Sequence, residues 1–165
     1  MKKRIEATLI YLMEGDQVLM LERVKKKGDI HIGKWNGLGG KVELGESIKN
    51  CAIRELKEES GLSAERFEFA GHITFPEFDK NGNDWSVHVF RAFGPSGELI
   101  ECDEGHLSWK HKKDLLFLNL WEGDKHFLPY VLSNKTFFGE IRYQSGELSS
   151  YSLEFADYLS GKDLN

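Results

Sequence analysis

Two apolar runs open the chain, residues 5–13 and 17–22, separated by Glu14-Gly15-Asp16. Runs of this length around a turn signal predict a hairpin or an adjacent strand pair. Residues 24–34 (VKKKGDIHIGK) read as a basic, glycine-punctuated loop. Gly33, Gly37, Gly39, Gly40 and Gly45 then crowd a short stretch, a density that brings backbone close to something else. Ser47 to Ser60 is the clearest helix. Ser47 is a natural N-cap, Glu46 lies at the positive end of the helix dipole, and Gly61 is a natural C′ residue before Leu62. Residues 67–76 and 85–93 predict strands around Lys80-Asn81-Gly82-Asn83, with SVHVF alternating as a half-buried strand does. Short strands are expected at 97–101 and 106–109. A second helix is expected over 122–134, interrupted or started by Pro129, and a closing hairpin over 136–154 around Gln144-Ser145-Gly146-Glu147. Strands with two helices and no linker or repeat predict one mixed α/β domain over residues 1–165.

The polar positions of the first helix are the unusual ones. At about 100° per residue, with Ile48 at zero, Cys51 and Ala52 fall within roughly 60° and form a core stripe. Glu55, Glu58 and Glu59 fall at roughly −20°, −80° and +20°, so they continue that stripe, while Asn50 and Lys57 point away. The inward face therefore begins apolar and ends acidic. Carboxylates spaced i, i+3 and i+4 repel, and partial burial sharpens the repulsion. Arg54 can answer only part of that charge, and no lysine faces it. A hard divalent cation answers it best, and all-oxygen ligands favour Mg²⁺, Mn²⁺ or Ca²⁺ over zinc. The glycine loop upstream can offer carbonyls to a metal and N–H groups, as at Gly39, to an anion. Metal, water and phosphate together point to hydrolysis of a phosphoanhydride.

Composition narrows the classes. The 165 residues are 40% hydrophobic and 30% charged, ordinary for a folded domain. A net charge of −5 argues against a broad basic surface for duplex nucleic acid. The N-terminal MKKRIEATLIYLMEGD imitates a secretory signal, but Glu6 interrupts a short apolar run and no small-residue cleavage site follows. No segment has the length and apolarity of a membrane span. Cys51 and Cys102 match no zinc spacing, and a reducing, cytoplasmic setting is expected. The six histidines, His31, His72, His88, His106, His111 and His126, show no ligand spacing and read as structural or surface residues.

The segment from Gly40 through Glu46 to Arg54-Glu55-Leu56-Lys57-Glu58-Glu59-Ser60-Gly61-Leu62 resembles the Nudix box without departure. The resemblance implies an α/β/α sandwich on a mixed sheet, with a loop–helix–loop that binds Mg²⁺ (Mn²⁺ as the alternative) and hydrolyses nucleoside diphosphates linked to another group. It implies that Glu55, Glu58, Glu59 and the carbonyl of Gly40 are metal ligands, with one glutamate orienting or deprotonating water. It implies that Glu46 and Arg54 pair to brace the box, and that Glu104 in CDEG is a further ligand or base. The likeness continues through WNGLGGKVELGES, DWSVHVF, Trp109, Trp121 with Asp124, and FFGEIRY. These resemble the MutT-type oxidised-purine nucleoside triphosphate hydrolases, which convert 8-oxo-dGTP to the monophosphate and pyrophosphate and so sanitise the nucleotide pool. The resemblance places Asn36 against the purine, Trp121 stacked on it, Asp124 on its Watson–Crick edge, and Arg23 and Lys41 at the phosphates. Lys25-Lys26-Lys27 read as a solvated loop. One departure stands out: the mammalian relatives carry two adjacent aspartates where this chain has Gly123-Asp124.

The box alone does not choose among nucleotides. Capped or triphosphorylated RNA ends, dinucleoside polyphosphates and nucleotide sugars are alternatives within the same chemistry. A non-catalytic nucleotide sensor and a partner-recognition domain are the other classes. The intact box argues against the sensor, and no fused segment or exposed apolar stripe favours the partner domain. The expected partner is a nucleoside triphosphate, with no stable nucleic-acid partner, no membrane, and a monomer or weak dimer.

Overall fold

The computed structural model of the chain describes residues 1–24, 32–133 and 135–157. Its strands are β1 (Arg4–Glu14), β2 (Gln17–Arg23), β3 (Trp35–Asn36), β4 (Leu62–Phe75), β5 (Asp84–Gly97), β6 (Gly105–His111), β7 (Lys135–Gln144) and β8 (Glu147–Asp157). Its helices are α1 (Ile48–Ser60) and α2 (Asp124–Val131), with a 3₁₀ turn over Lys112–Phe117. Among the described residues the strands form one mixed sheet in the order β3-β2-β1-β5-β4-β7-β8, and β6 pairs with β2. Parallel pairing of β1 with β5 and of β4 with β7 sits among antiparallel neighbours.

Alternation along β1 sends its side chains to two faces. Ala7, Tyr11 and Met13 join Phe127, Leu128, Val131, Phe137 and Ile141 under α2. Ile10 and Leu12 join Ala52, Leu56, Phe90 and Ala92 under α1. One helix thus covers each face, as the α/β/α expectation requires. The first helix ends as the sequence implies. Ser47 Oγ accepts the Asn50 N–H at 3.1 Å, and Gly61, at φ 77°, donates its N–H to the Lys57 carbonyl.

Several boundaries differ from the sequence reading. Residues 98–100 form no strand, because Gly97 ends β5 and the Ile100 N–H is spent on the Ser60 carbonyl at 2.9 Å. The second helix is shorter than 122–134, since Asp124 N–H closes a turn on the Trp121 carbonyl first. The opening pair stays together only at Met13–Val18 and Glu14–Gln17, and the length of β2 pairs with β6 instead.

That divergence makes room for the glycine loop on the exposed side of β1. Leu38 exchanges hydrogen bonds with Ile10, Thr8 N–H donates to Gly40 O at 2.9 Å, and Val42 N–H donates to Glu6 O. A Cβ on Gly39, at φ 150°, would lie 2.0 Å from the Thr8 carbonyl oxygen. Only glycine permits this approach. The histidines serve structure. His88 Nε2 meets Glu6 at 2.8 Å, His72 Nε2 meets Ser86 Oγ at 2.7 Å, and His126 stacks on Tyr151. His31 and Lys25-Lys26-Lys27 lie outside the described residues.

Candidate active site

The glycine loop and the C-terminal half of α1 face each other, with Arg54 between them. Arg54 grips Glu46 through two contacts, Nε to Oε2 at 2.7 Å and a terminal nitrogen to Oε1 at 3.0 Å. The same guanidinium reaches Glu55 at 2.9 Å, Glu58 at 3.1 Å and the Lys41 carbonyl at 3.1 Å. Its fixed fork of donors suits such sharing. Bonded to Arg54, the Glu46 carboxyl is held down at about 2, and the guanidinium is raised in turn.

The acidic side chains are not equivalent. Glu59 is buried, and Gly39 donates its N–H to Glu59 Oε1 at 2.6 Å. Burial pushes its carboxyl up to about 8 despite that bond, with the Glu104 and Glu55 charges adding to the effect. Glu55 is also raised, first by burial. It packs on the loop so closely that a Cβ on Gly40 would lie 2.4 Å from its Oε1. Glu104 meets Arg23 in an ion pair at 3.0 Å.

Two expectations need correction. Glu58 is not inward, because its side chain is 59% exposed. The reference residue Ile48 is only half buried, and the buried arc centres on Ala52 and Leu56, which leaves Glu58 on its margin. Gly39 does not offer its N–H to an anion, since Glu59 takes it. Arg54 answers only part of the acidic charge, as expected, reaching Glu46, Glu55 and Glu58 while Glu59 takes the Gly39 N–H. Among the described residues no three His, Cys, Asp or Glu side chains converge as a metal cage. The chemistry of the donor set nevertheless fits a hard divalent cation. Glu55, Glu59, Glu104 and the Gly40 carbonyl are all oxygen donors, and burial, with neighbouring carboxylate charge adding, raises two of the acids.

A second cluster lies on the α2 face. Asp124 opens α2 and is 7% exposed. Burial lifts its carboxyl to about 7, opposed in part by Lys34. Lys34 Nζ lies 5.4 Å from the centre of the Trp121 ring and bonds Leu120 O at 3.4 Å. Asn36, two residues on in β3, pairs with Leu21 of β2, while its neighbour Trp35 packs into the core under α2. The amide nitrogen Asn36 Nδ2 is buried and has no hydrogen-bond partner among the described residues. Trp121 meets Tyr143 edge-on at 5.2 Å and Phe78 at 6.3 Å. Lys41 is exposed, with its ammonium 5.4 Å from the Trp85 ring centre. Arg23 is engaged by Glu104 rather than standing open to a phosphate.

Lys34 and Tyr143 belong to this cluster, and the sequence did not single them out. Lys34 adjoins Trp35-Asn36-Gly37, which is a weak signal. Tyr143 closes the FFGEIRY stretch but carries no role in the sequence reading, because an aromatic in a strand reads as core.

A family model described as "NUDIX domain" matches residues 2–131. The chain is 38% identical over 151 residues to the oxidized purine nucleoside triphosphate hydrolase of Mus musculus, covering 91% of this chain and 94% of that protein. It is 38% identical over 141 residues to the Danio rerio protein of the same name, covering 86% and 88%. Among solved structures, a MutT protein from Bacillus halodurans superposes with a TM-score of 0.81 at 32% identity, covering 91% of this chain and 97% of that one.

Proposed function

The chain belongs to the Nudix family of nucleotide hydrolases, and from that premise we propose that it hydrolyses oxidised purine nucleoside triphosphates, chiefly 8-oxo-dGTP. The products are the nucleoside monophosphate and pyrophosphate, and the role is sanitation of the nucleotide pool. The observation that carries the substrate reading is the buried, half-neutral Asp124 in a turn closed on Trp121, with the orphaned Asn36 amide as a further donor. A buried donor without a partner is costly, and a ligand that accepts its hydrogen bond removes the cost. An amide and a carboxyl near its midpoint of ionisation can together donate to and accept from a purine edge. Trp121 supplies the stacking surface. The relatives named for oxidised purine nucleoside triphosphates support the same choice.

Nudix hydrolases use divalent metal cations, and we assign Mg²⁺ here, with Mn²⁺ as the alternative. Glu55, Glu58, Glu59, Glu104 and the Gly40 carbonyl are the ligands we assign. A bound cation supplies Lewis acidity toward phosphate oxygens and a more acidic water. The chain's own residues do the rest. Arg54 braces Glu46 and must loosen its hold on Glu55 and Glu58 for both to ligate. Glu59, protonated below about pH 8 without a cation, would give up that proton to ligate one. Arg23 and Lys41 are assigned to the phosphates, with Arg23 exchanging Glu104 for the substrate. One domain over residues 1–165, a monomeric or weakly dimeric state without a stable nucleic-acid partner, and a cytoplasmic setting complete the proposal. The buried thiols of Cys51 and Cys102 agree with a reducing compartment.

The test is Asp124→Ala. It should lower kcat/KM for 8-oxo-dGTP by about 10²-fold, the worth of a lost charged hydrogen bond, and spare a pyrimidine triphosphate. An equal loss on both would show that Asp124 does not read the base.

A further inference from the structure

The turn that presents Trp121 and Asp124 has a weak local design. The residue before α2 is Gly123, which has no side chain to cap the helix, and α2 is an eight-residue helix with Pro129 inside it. What holds the turn comes from across the sheet. Gly123 N–H donates to the Tyr143 hydroxyl at 2.7 Å. The β7–β8 register shifts between Arg142 and Tyr143, an irregularity that re-aims the side chain beyond it. The Tyr143 ring is then fixed by Phe75, stacked at 6.4 Å, by Phe78 at 6.0 Å and by Trp121 at 5.2 Å.

Gly123 and this hydroxyl are made for each other. A Cβ at position 123 would lie 2.6 Å from the Tyr143 hydroxyl oxygen and 2.7 Å from Ile141 Cγ2. The hydroxyl fills the space a side chain would need. Burial, with the Asp124 charge adding, raises Tyr143, so its O–H stays protonated as a donor. One lone pair is spent on Gly123, and the proton remains for an acceptor on the Asp124 side.

We propose that Tyr143 is a specificity-determining positioning residue: its hydroxyl ties Gly123 to β7 and so fixes where Asp124 and Trp121 meet a purine. This rests on the purine-triphosphate reading above and deepens it. The chain replaces a second side chain next to Asp124 with a hydroxyl delivered from a neighbouring strand.

Tyr143→Phe keeps the ring and removes the tie. In nucleotide-free protein, amide exchange at Gly123 should speed up by about tenfold, as for a hydrogen bond freed locally. With Mg²⁺, KM for 8-oxo-dGTP should rise about tenfold while kcat stays within about twofold and dCTP turnover is unchanged. A thermal midpoint close to wild type shows that the fold is retained. Unchanged Gly123 exchange, or equal KM shifts on 8-oxo-dGTP and dCTP, overturns the proposal. Wild-type protein that treats purine and pyrimidine triphosphates alike overturns the substrate reading, and with it the specificity role, even where Gly123 exchange responds.

Discussion

Glu59 and Arg54 carry opposite sides of one electrostatic problem. Arg54 can contact Glu46, Glu55 and Glu58 at once because its donors form a fork. Glu59 lies deeper, takes only a backbone N–H, and is held at about 8. In the unfolded chain a glutamate titrates near 4.5. The stability contributed by a protonated Glu59 is therefore full below about 4.5 and is lost as pH climbs toward 8. Glu59→Gln should stabilise the metal-free protein at pH 8.5 far more than at pH 4.5, by on the order of a few kcal/mol, and raise the thermal midpoint accordingly. The same variant should lose hydrolysis by about 10²-fold or more. Thermal scans in chelator at both pH values check the first part, and an equal shift at both would refute the assigned pKa. Arg54→Ala should cost about 1–3 kcal/mol by leaving three carboxylates facing one another. Urea titration measures that cost, and added divalent cation should recover part of it.

The box helix was the element most legible in the sequence, down to Ser47 and Gly61, because capping is written in local chemistry. Its inward face was legible only in part. A wheel centred on Ile48 turned Glu58 inward, whereas the sheet beneath, through Ile10 and Leu12 against Ala52 and Leu56, sets the true centre. The glycine loop was legible as a close approach, yet not what it approaches. That partner is β1, far away in sequence, which no periodicity reveals. Two glycines separate these ideas. Gly39→Ala should destabilise by about 2 kcal/mol or more and abolish activity, since its Cβ meets the Thr8 carbonyl and its N–H holds Glu59. Gly45→Ala, at φ 79° with nothing within 4 Å, should cost only about 1–2 kcal/mol and keep activity. Denaturant midpoints and initial rates on the pair decide this.

The whole molecule uses both faces of one sheet. The acidic helix covers one face, and the recognition turn and α2 cover the other, while loop and strand edges join them. The recognition cluster gathers Lys34 before β3, the turn into α2, Phe78 between β4 and β5, and Tyr143 of β7, so long-range packing builds it and the sequence alone assigns no role to Lys34 or Tyr143. The strands β7 and β8 lie beyond the matched family region at residue 131, yet Tyr143 comes from β7. No helix among the described residues is long and apolar enough to cross a membrane. The central claim is that this arrangement reads an oxidised purine while cleaving its triphosphate. Its most direct test is kcat/KM with Mg²⁺ across 8-oxo-dGTP, dGTP, 2-oxo-dATP, a dinucleoside tetraphosphate, an ADP-sugar and 5′-triphosphate RNA. The account predicts that 8-oxo-dGTP exceeds dGTP by about tenfold or more, the worth of roughly one good hydrogen bond, and yields monophosphate and pyrophosphate. Equal rates on 8-oxo-dGTP and dGTP, or a higher rate on the RNA end, polyphosphate or sugar substrate, would contradict it.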